Sequence, residues 1–120
     1  MAHIPILYAG TVGQGVWRSP DGGDSWRRAS KGMFPESDIR AIAVNPDNAS
    51  ILFAGTEAGI YRSADSGDSW VLLDSPMNDM QIWSLAISPQ NSNTVYAGTC
   101  PSALFKSDDG GDSWRKLDVD

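Results

Sequence analysis

Apolar residues in this chain fall in short runs with turn-forming clusters between them, and no window sustains a helical period. Ile39–Val44 is rich in β-branched and small residues and is closed by Asn-Pro-Asp-Asn. Ile82–Ile87 has the same character and is closed by Ser-Pro-Gln-Asn. Pro after Asn or Ser, followed by another short polar residue, is turn chemistry, so each run reads as a strand with a tight exit. A second kind of run appears three times, as Ile6–Thr11, Ile51–Thr56 and Thr94–Thr99, each ending in Ala-Gly-Thr. A third follows it each time: Gly15–Ser19, Gly59–Ser63 and Ala103–Ser107. The fourth begins at a tryptophan: Trp26–Ala29, Trp70–Leu73 and Trp114–Leu117.

Between the third and fourth runs stands one motif, Ser-x-Asp-x-Gly-x-x-Trp. Its copies are Ser19, Asp21, Gly23, Trp26; Ser63, Asp65, Gly67, Trp70; and Ser107, Asp109, Gly111, Trp114, spaced 44 residues apart each time. A fixed period of that length marks a repeat architecture. Four short antiparallel strands in each period describe a blade of a β-propeller, with strands A to D running from hub to rim. The fold class expected is therefore all-β, a partial β-propeller of about three four-stranded antiparallel blades. Residues 1–120 form one segment, with blade 1 at about 4–30, blade 2 at about 38–74 and blade 3 at about 81–118. Blade 1 lacks its innermost strand. Propellers close with roughly four to eight blades, so an arc of three leaves flanks that need covering. Either the chain is a piece of a longer propeller or copies associate into a ring, a homo-oligomer with the dimer favoured.

The motif has a mechanical reading. Short Ser and Asp side chains bond back onto backbone amides, Gly accepts a positive φ, and Trp packs across the blade. Asp21, Asp65 and Asp109 are thus hairpin fasteners and no metal is assigned to them, because the spacing lacks the alternating ligands and terminal Glu of a calcium loop.

A formal net charge of −6 argues against nucleic acid and against anionic membrane surfaces as partners. Cys100 is the single cysteine, so no internal disulfide forms. The start, Met-Ala-His-Ile-Pro, carries neither a basic region nor an apolar core of a signal peptide, and no run is long enough to span a bilayer. The expected setting is cytoplasmic.

These boxes, following Tyr/Phe-Ala-Gly-Thr and Trp/Tyr-Arg-Ser, resemble the Asp-box (BNR) repeats of sialidase-like propellers, xyloglucan-cleaving glycosidases, sortilin-type receptors and photosystem II assembly-factor-like proteins. The likeness is nearest to bacterial BNR-repeat proteins of unassigned activity. It covers almost the whole chain and implies the propeller fold, with boxes on the rim away from the ligand face. It does not choose among enzyme, receptor and assembly factor.

A sialidase-like activity would need an arginine triad and a tyrosine nucleophile. Arg18 and Arg62 share one repeat position with Lys106, and Arg27 matches Arg115, so blade contacts account for them. Tyr8, Tyr61 and Tyr96 occupy recurring core positions. No catalytic residue and no cofactor is assigned, and His3 reads as surface. Cys100 has no histidine partner at a useful spacing. What remains is a ligand-binding candidate set: Arg40 and Trp83 on strand A near the hub, with Asp38, Asn78 and Asp79 in D-to-A loops and Glu57 in a B-to-C loop. Aromatic, amide and carboxylate groups together suit a carbohydrate or peptide ligand. Phe34, Met77 and Met80 in the same loops are expected to pack between blades. The function expected is a non-enzymatic binding or assembly module; the alternative is a fragment of a glycoside hydrolase propeller with its catalytic residues outside this chain.

Overall fold

In the computed structural model, which describes residues 4–119, eleven strands form three antiparallel sheets. His3 and Asp120 lie outside the described residues. Blade 1 contains β1 (Leu7–Gly10), β2 (Val16–Ser19) and β3 (Arg27–Arg28). Blade 2 contains β4 (Ile39–Val44), β5 (Leu52–Thr56), β6 (Ile60–Ser63) and β7 (Val71–Leu72). Blade 3 contains β8 (Gln81–Ile87), β9 (Val95–Cys100), β10 (Ala103–Ser107) and β11 (Arg115–Lys116). Each sheet is a plain meander in chain order, so the three-strand first blade and the two four-strand blades have the expected topology. The outermost strands are shorter than the apolar pattern suggests: only two residues pair in each, and the box tryptophan precedes the strand rather than starting it.

The core lies between blades rather than within them. Side chains alternate across a strand, and β5 uses both faces. Leu52 and Ala54 join Val16, Met33, Ile39, Tyr61 and Trp70 in the junction of blades 1 and 2. Phe53 points the other way, into a cluster with Ile60, Leu73, Met77, Ile82, Val95, Ala97 and Phe105 between blades 2 and 3. All five residues of β5 are consequently buried.

Strand A can approach its neighbouring blade closely because the Ala-Gly-Thr glycine has no side chain. A Cβ on Gly55 would sit 2.5 Å from Ile82 Cγ2, and one on Gly10 would sit 2.6 Å from Ile39 Cγ2. Both β4 and β8 also carry a register shift just after the first isoleucine. A bulge there re-aims the next side chains, Arg40 and Trp83, at the hub end.

Candidate functional site

The B-to-C and D-to-A loops meet at one end of the blades. The Gly15 N–H donates to Ser37 O at 3.0 Å, and the Gly59 N–H donates to Met80 O at 3.1 Å. At this end the Asp38 N–H donates to Glu57 Oε2 at 2.9 Å, which fixes the Glu57 carboxylate beneath the loop. Asp38 Oδ2 stands 4.0 Å from Arg40 Nη2. The Arg40 guanidinium lies over the Trp83 ring, 4.4 Å from its centroid, within the range of a cation–π contact. Four of the six expected binding residues therefore form one chain of contacts from Glu57 through Asp38 and Arg40 to Trp83.

Two features leave this cluster chemically unfinished. Trp83 is 53% exposed, although it stands beside the packed core. The Arg40 Nε–H is buried with no acceptor among the described residues, where a buried donor ordinarily finds one. Beside them a groove of about 290 Å³ runs between β1, which has no strand on its inner side among the described residues, and β4. Its lining includes Tyr8, Ile39, Arg40 and Ile42. A larger hollow of about 390 Å³ lies near Arg28, Lys31 and Pro35 at the outer side of blade 1, away from this cluster.

Asn78 and Asp79 do not join the cluster. Asn78 Oδ1 accepts from Ser75 Oγ at 3.1 Å and closes its own turn. Asp79 is exposed, and no hydrogen bond or ion pair among the described residues reaches it. Of the apolar loop residues, Met77 is fully buried and Met80 packs against the same core, whereas Phe34 is 57% exposed. Cys100 is exposed at the end of β9.

The boxes sit at the opposite end of the blades, in the C-to-D turns. In the first, Ser19 Oγ donates to Asp21 Oδ1 at 2.8 Å and accepts from the Gly23 N–H at 2.8 Å. The Ser25 N–H donates to Asp21 Oδ1 at 2.9 Å, and Ser25 Oγ donates to Oδ2 at 2.6 Å. The same bonds recur around Asp65 and Asp109. Gly23, Gly67 and Gly111 all have positive φ. Donation from the seventh-place serine, then the backbone and the first serine, pulls the Asp21 and Asp109 carboxyls down to about 2 and lowers that of Asp65. Sequence reasoning missed the seventh-place serine, although Asp-Ser-Trp is written identically in all three boxes. The tryptophans differ in duty: the Trp70 indole N–H donates to Ala29 O in the preceding blade, while those of Trp26 and Trp114 donate to their own box.

A family model described as Sortilin-Vps10 (sortilin, neurotensin receptor 3) matches residues 14–120. Among solved structures, an ancestral GH74 enzyme aligns with a TM-score of 0.83 and 26% identity, over 96% of this chain and 17% of that one. YCF48 bound to D1 peptide aligns with a TM-score of 0.70 and 16% identity, over 91% of this chain and 36% of that one. YCF48 from Cyanidioschyzon merolae aligns with a TM-score of 0.60 and 16% identity, over 70% and 24% respectively. The YCF48 likenesses bear on the fold alone. No curated protein matched. The chain thus spans between 17% and 36% of the length of these three neighbours.

Proposed function

The chain belongs to the Sortilin-Vps10 family, and from that premise we propose that it is a non-enzymatic binding or assembly module whose ligand face is the hub end of the blades. The observation that carries this reading is Trp83, half-exposed and stacked on Arg40, with the Asp38 and Glu57 carboxylates in line behind it. An aromatic face takes the apolar side of a sugar ring or a peptide side chain. The guanidinium and carboxylates orient hydroxyls or amides, and the buried Arg40 Nε–H supplies a donor that a ligand acceptor would satisfy. Further blades, from a longer chain or from other copies, complete the arc.

The reading is tested by titrating the chain with β-glucan oligosaccharides and with extended peptides while following tryptophan fluorescence and heat. One of these classes is expected to bind, and Trp83→Ala is expected to weaken it by at least tenfold, as loss of one stacking anchor does. Binding that survives Trp83→Ala unchanged removes the hub face from consideration. A second reading, a piece of a glycoside hydrolase propeller with catalytic residues outside this chain, is favoured by the 26% identity to the GH74 enzyme. Hydrolysis of β-glucans or sialosides by the chain at enzyme-like rates would overturn the first reading.

A further inference from the structure

Blades 2 and 3 share an apolar core, yet on the box side of that core they part around a hollow of about 300 Å³. Its apolar lining is Ile51, Phe53 and Ala64 of blade 2. Its polar walls come from both blades, with Asn45 and Arg62 on one side and Asn93 and Asp109 on the other. At about 30 Å³ for each water it has room for about ten, or for one small organic molecule. The corresponding place between blades 1 and 2 holds a tyrosine hydroxyl. Tyr8 stands at the repeat position of Phe53, and its Oη donates to Ser66 O at 3.0 Å. Gly110 is the counterpart of Ser66, since the N–H of each donates to the A-to-B turn of its own blade, at Asn93 O and Ser50 O. Phe53 has no hydroxyl, and Gly110 O accepts instead from Arg62 Nη1 at 2.8 Å.

The fold alone does not satisfy the polar walls. Asn45 is only 8% exposed. Its Oδ1 accepts from the Asp47 and Asn48 N–H groups at 2.8 and 3.1 Å, which fixes the orientation of the amide. The Nδ2 edge is left with two hydrogens and no acceptor among the described residues, where a buried donor ordinarily finds one. Arg62 uses Nη1 for Gly110 O and Asp112 Oδ1, so Nη2 and Nε also lack acceptors among the described residues. Asp109 is ionised at neutral pH, because the serine bonds hold its carboxyl near 2. One guanidinium therefore faces two carboxylates. An anion entering the hollow meets Asp109, and a cation meets Arg62.

We propose that this hollow is a second binding site, for a small uncharged organic molecule in which a carbonyl adjoins an apolar part. The apolar part rests on Phe53 and Ile51, and the carbonyl oxygen accepts from Asn45 Nδ2 and the free edge of Arg62. Apolar lining with a few converging donors is the usual make-up of such sites. The hollow lies at the opposite end of the blades from the Arg40–Trp83 cluster, so either site can fail without the other.

The probe is benzamide, added to the isotope-labelled chain and followed by amide NMR shifts. Saturable shifts are expected at the Asn45 side-chain amide and at Asn93 and Gly110, with a dissociation constant on the order of 1 mM for a molecule of this size. Benzoate and benzylammonium are each expected to bind more weakly. Asn45→Asp keeps the Oδ1 that holds the turn and removes the Nδ2 donor, so it should weaken benzamide by about tenfold or more. Phe53→Tyr copies Tyr8 and is expected to fill the hollow and abolish binding. Ala64 is exposed, so Ala64→Leu obstructs the opening with the core untouched, and it too is expected to abolish binding. The absence of a saturable shift, shifts gathered around Trp83 instead, tighter binding of either charged probe, or benzamide binding unchanged in any of the three variants would each overturn the proposal.

Discussion

The glycine of Ala-Gly-Thr occurs in all three blades, yet substituting it with alanine is expected to have opposite effects in different blades. On Gly55 a Cβ would fall 2.5 Å from Ile82 Cγ2 and 2.9 Å from Ile82 Cβ, well inside the ordinary carbon contact of roughly 3.5–4.0 Å. Ile82 is fully buried and its Cβ cannot rotate away, so β8 must move off β5. Gly10 meets Ile39 in the same way, at 2.6 and 2.8 Å. Overpacking of this kind costs about 1–3 kcal/mol, and that loss is expected for Gly55→Ala and Gly10→Ala. At Gly98 the only close atom is Ser84 Oγ, at 2.5 Å, with Ser84 Cβ already at 3.8 Å. A rotation about the Ser84 side chain clears it, because Ser84 is exposed. Gly98→Ala should then be neutral or stabilising by up to about 1 kcal/mol, since glycine weakens a strand interior relative to alanine. None of the three has a positive φ, so backbone strain does not confuse the comparison. Urea unfolding followed by tryptophan fluorescence reads the three midpoints directly. Equal shifts at all three positions, or the largest loss at Gly98, would refute the claim that the next blade's inner strand is what forbids a side chain here.

Phe53→Ala is expected to destabilise the chain by about 3–5 kcal/mol, as Phe53 is 1% exposed at the centre of the junction of blades 2 and 3. Tyr96→Ala at the equivalent, half-buried place should cost clearly less, and equal losses in urea would contradict the open third flank. Acid should loosen the boxes. Asp21 and Asp109 titrate near 2 when folded against a usual 3.8, so their stabilisation is complete above about pH 4 and falls away as the pH drops toward 2. The urea midpoint is expected to decline across that window, and Ser25→Ala with Ser113→Ala to flatten the decline; a midpoint unmoved by either change speaks against the serine bonds as the cause.

Box spacing and strand character were legible because both repeat in linear order. A hairpin is a local object: Ser19, Asp21, Gly23 and Ser25 hold one another within a single turn, whatever surrounds it. Strand count and antiparallel order follow from the same local connections. Asp38 and Glu57, by contrast, meet across two loops, and Asn78 and Asp79 occupy the corresponding part of the next repeat without forming such a pair. The difference lies across the strand pair: Cys100 stands after the strand-B threonine where the second blade has Glu57, so no carboxylate is there to accept such a bond. Phe34 looks as apolar as Met77, but only Met77 reaches a core; in the loop of Phe34 the buried residue is the neighbouring Met33.

Read alone, the chain's order of residues settles what is local and periodic: the repeat, the antiparallel strand order within each blade, and three boxes that tie hairpins. Assembly in three dimensions settles what is relational. It sets the core between blades, lays Arg40 over Trp83, and makes Trp70 a junction residue while its twin Trp26 stays in solvent. The physical reason is that identical repeats differ only in what is packed against them. Burial, pairing and exposure arise from neighbours distant in the chain, and the open ends of the arc become visible only when the internal junctions can be laid beside them.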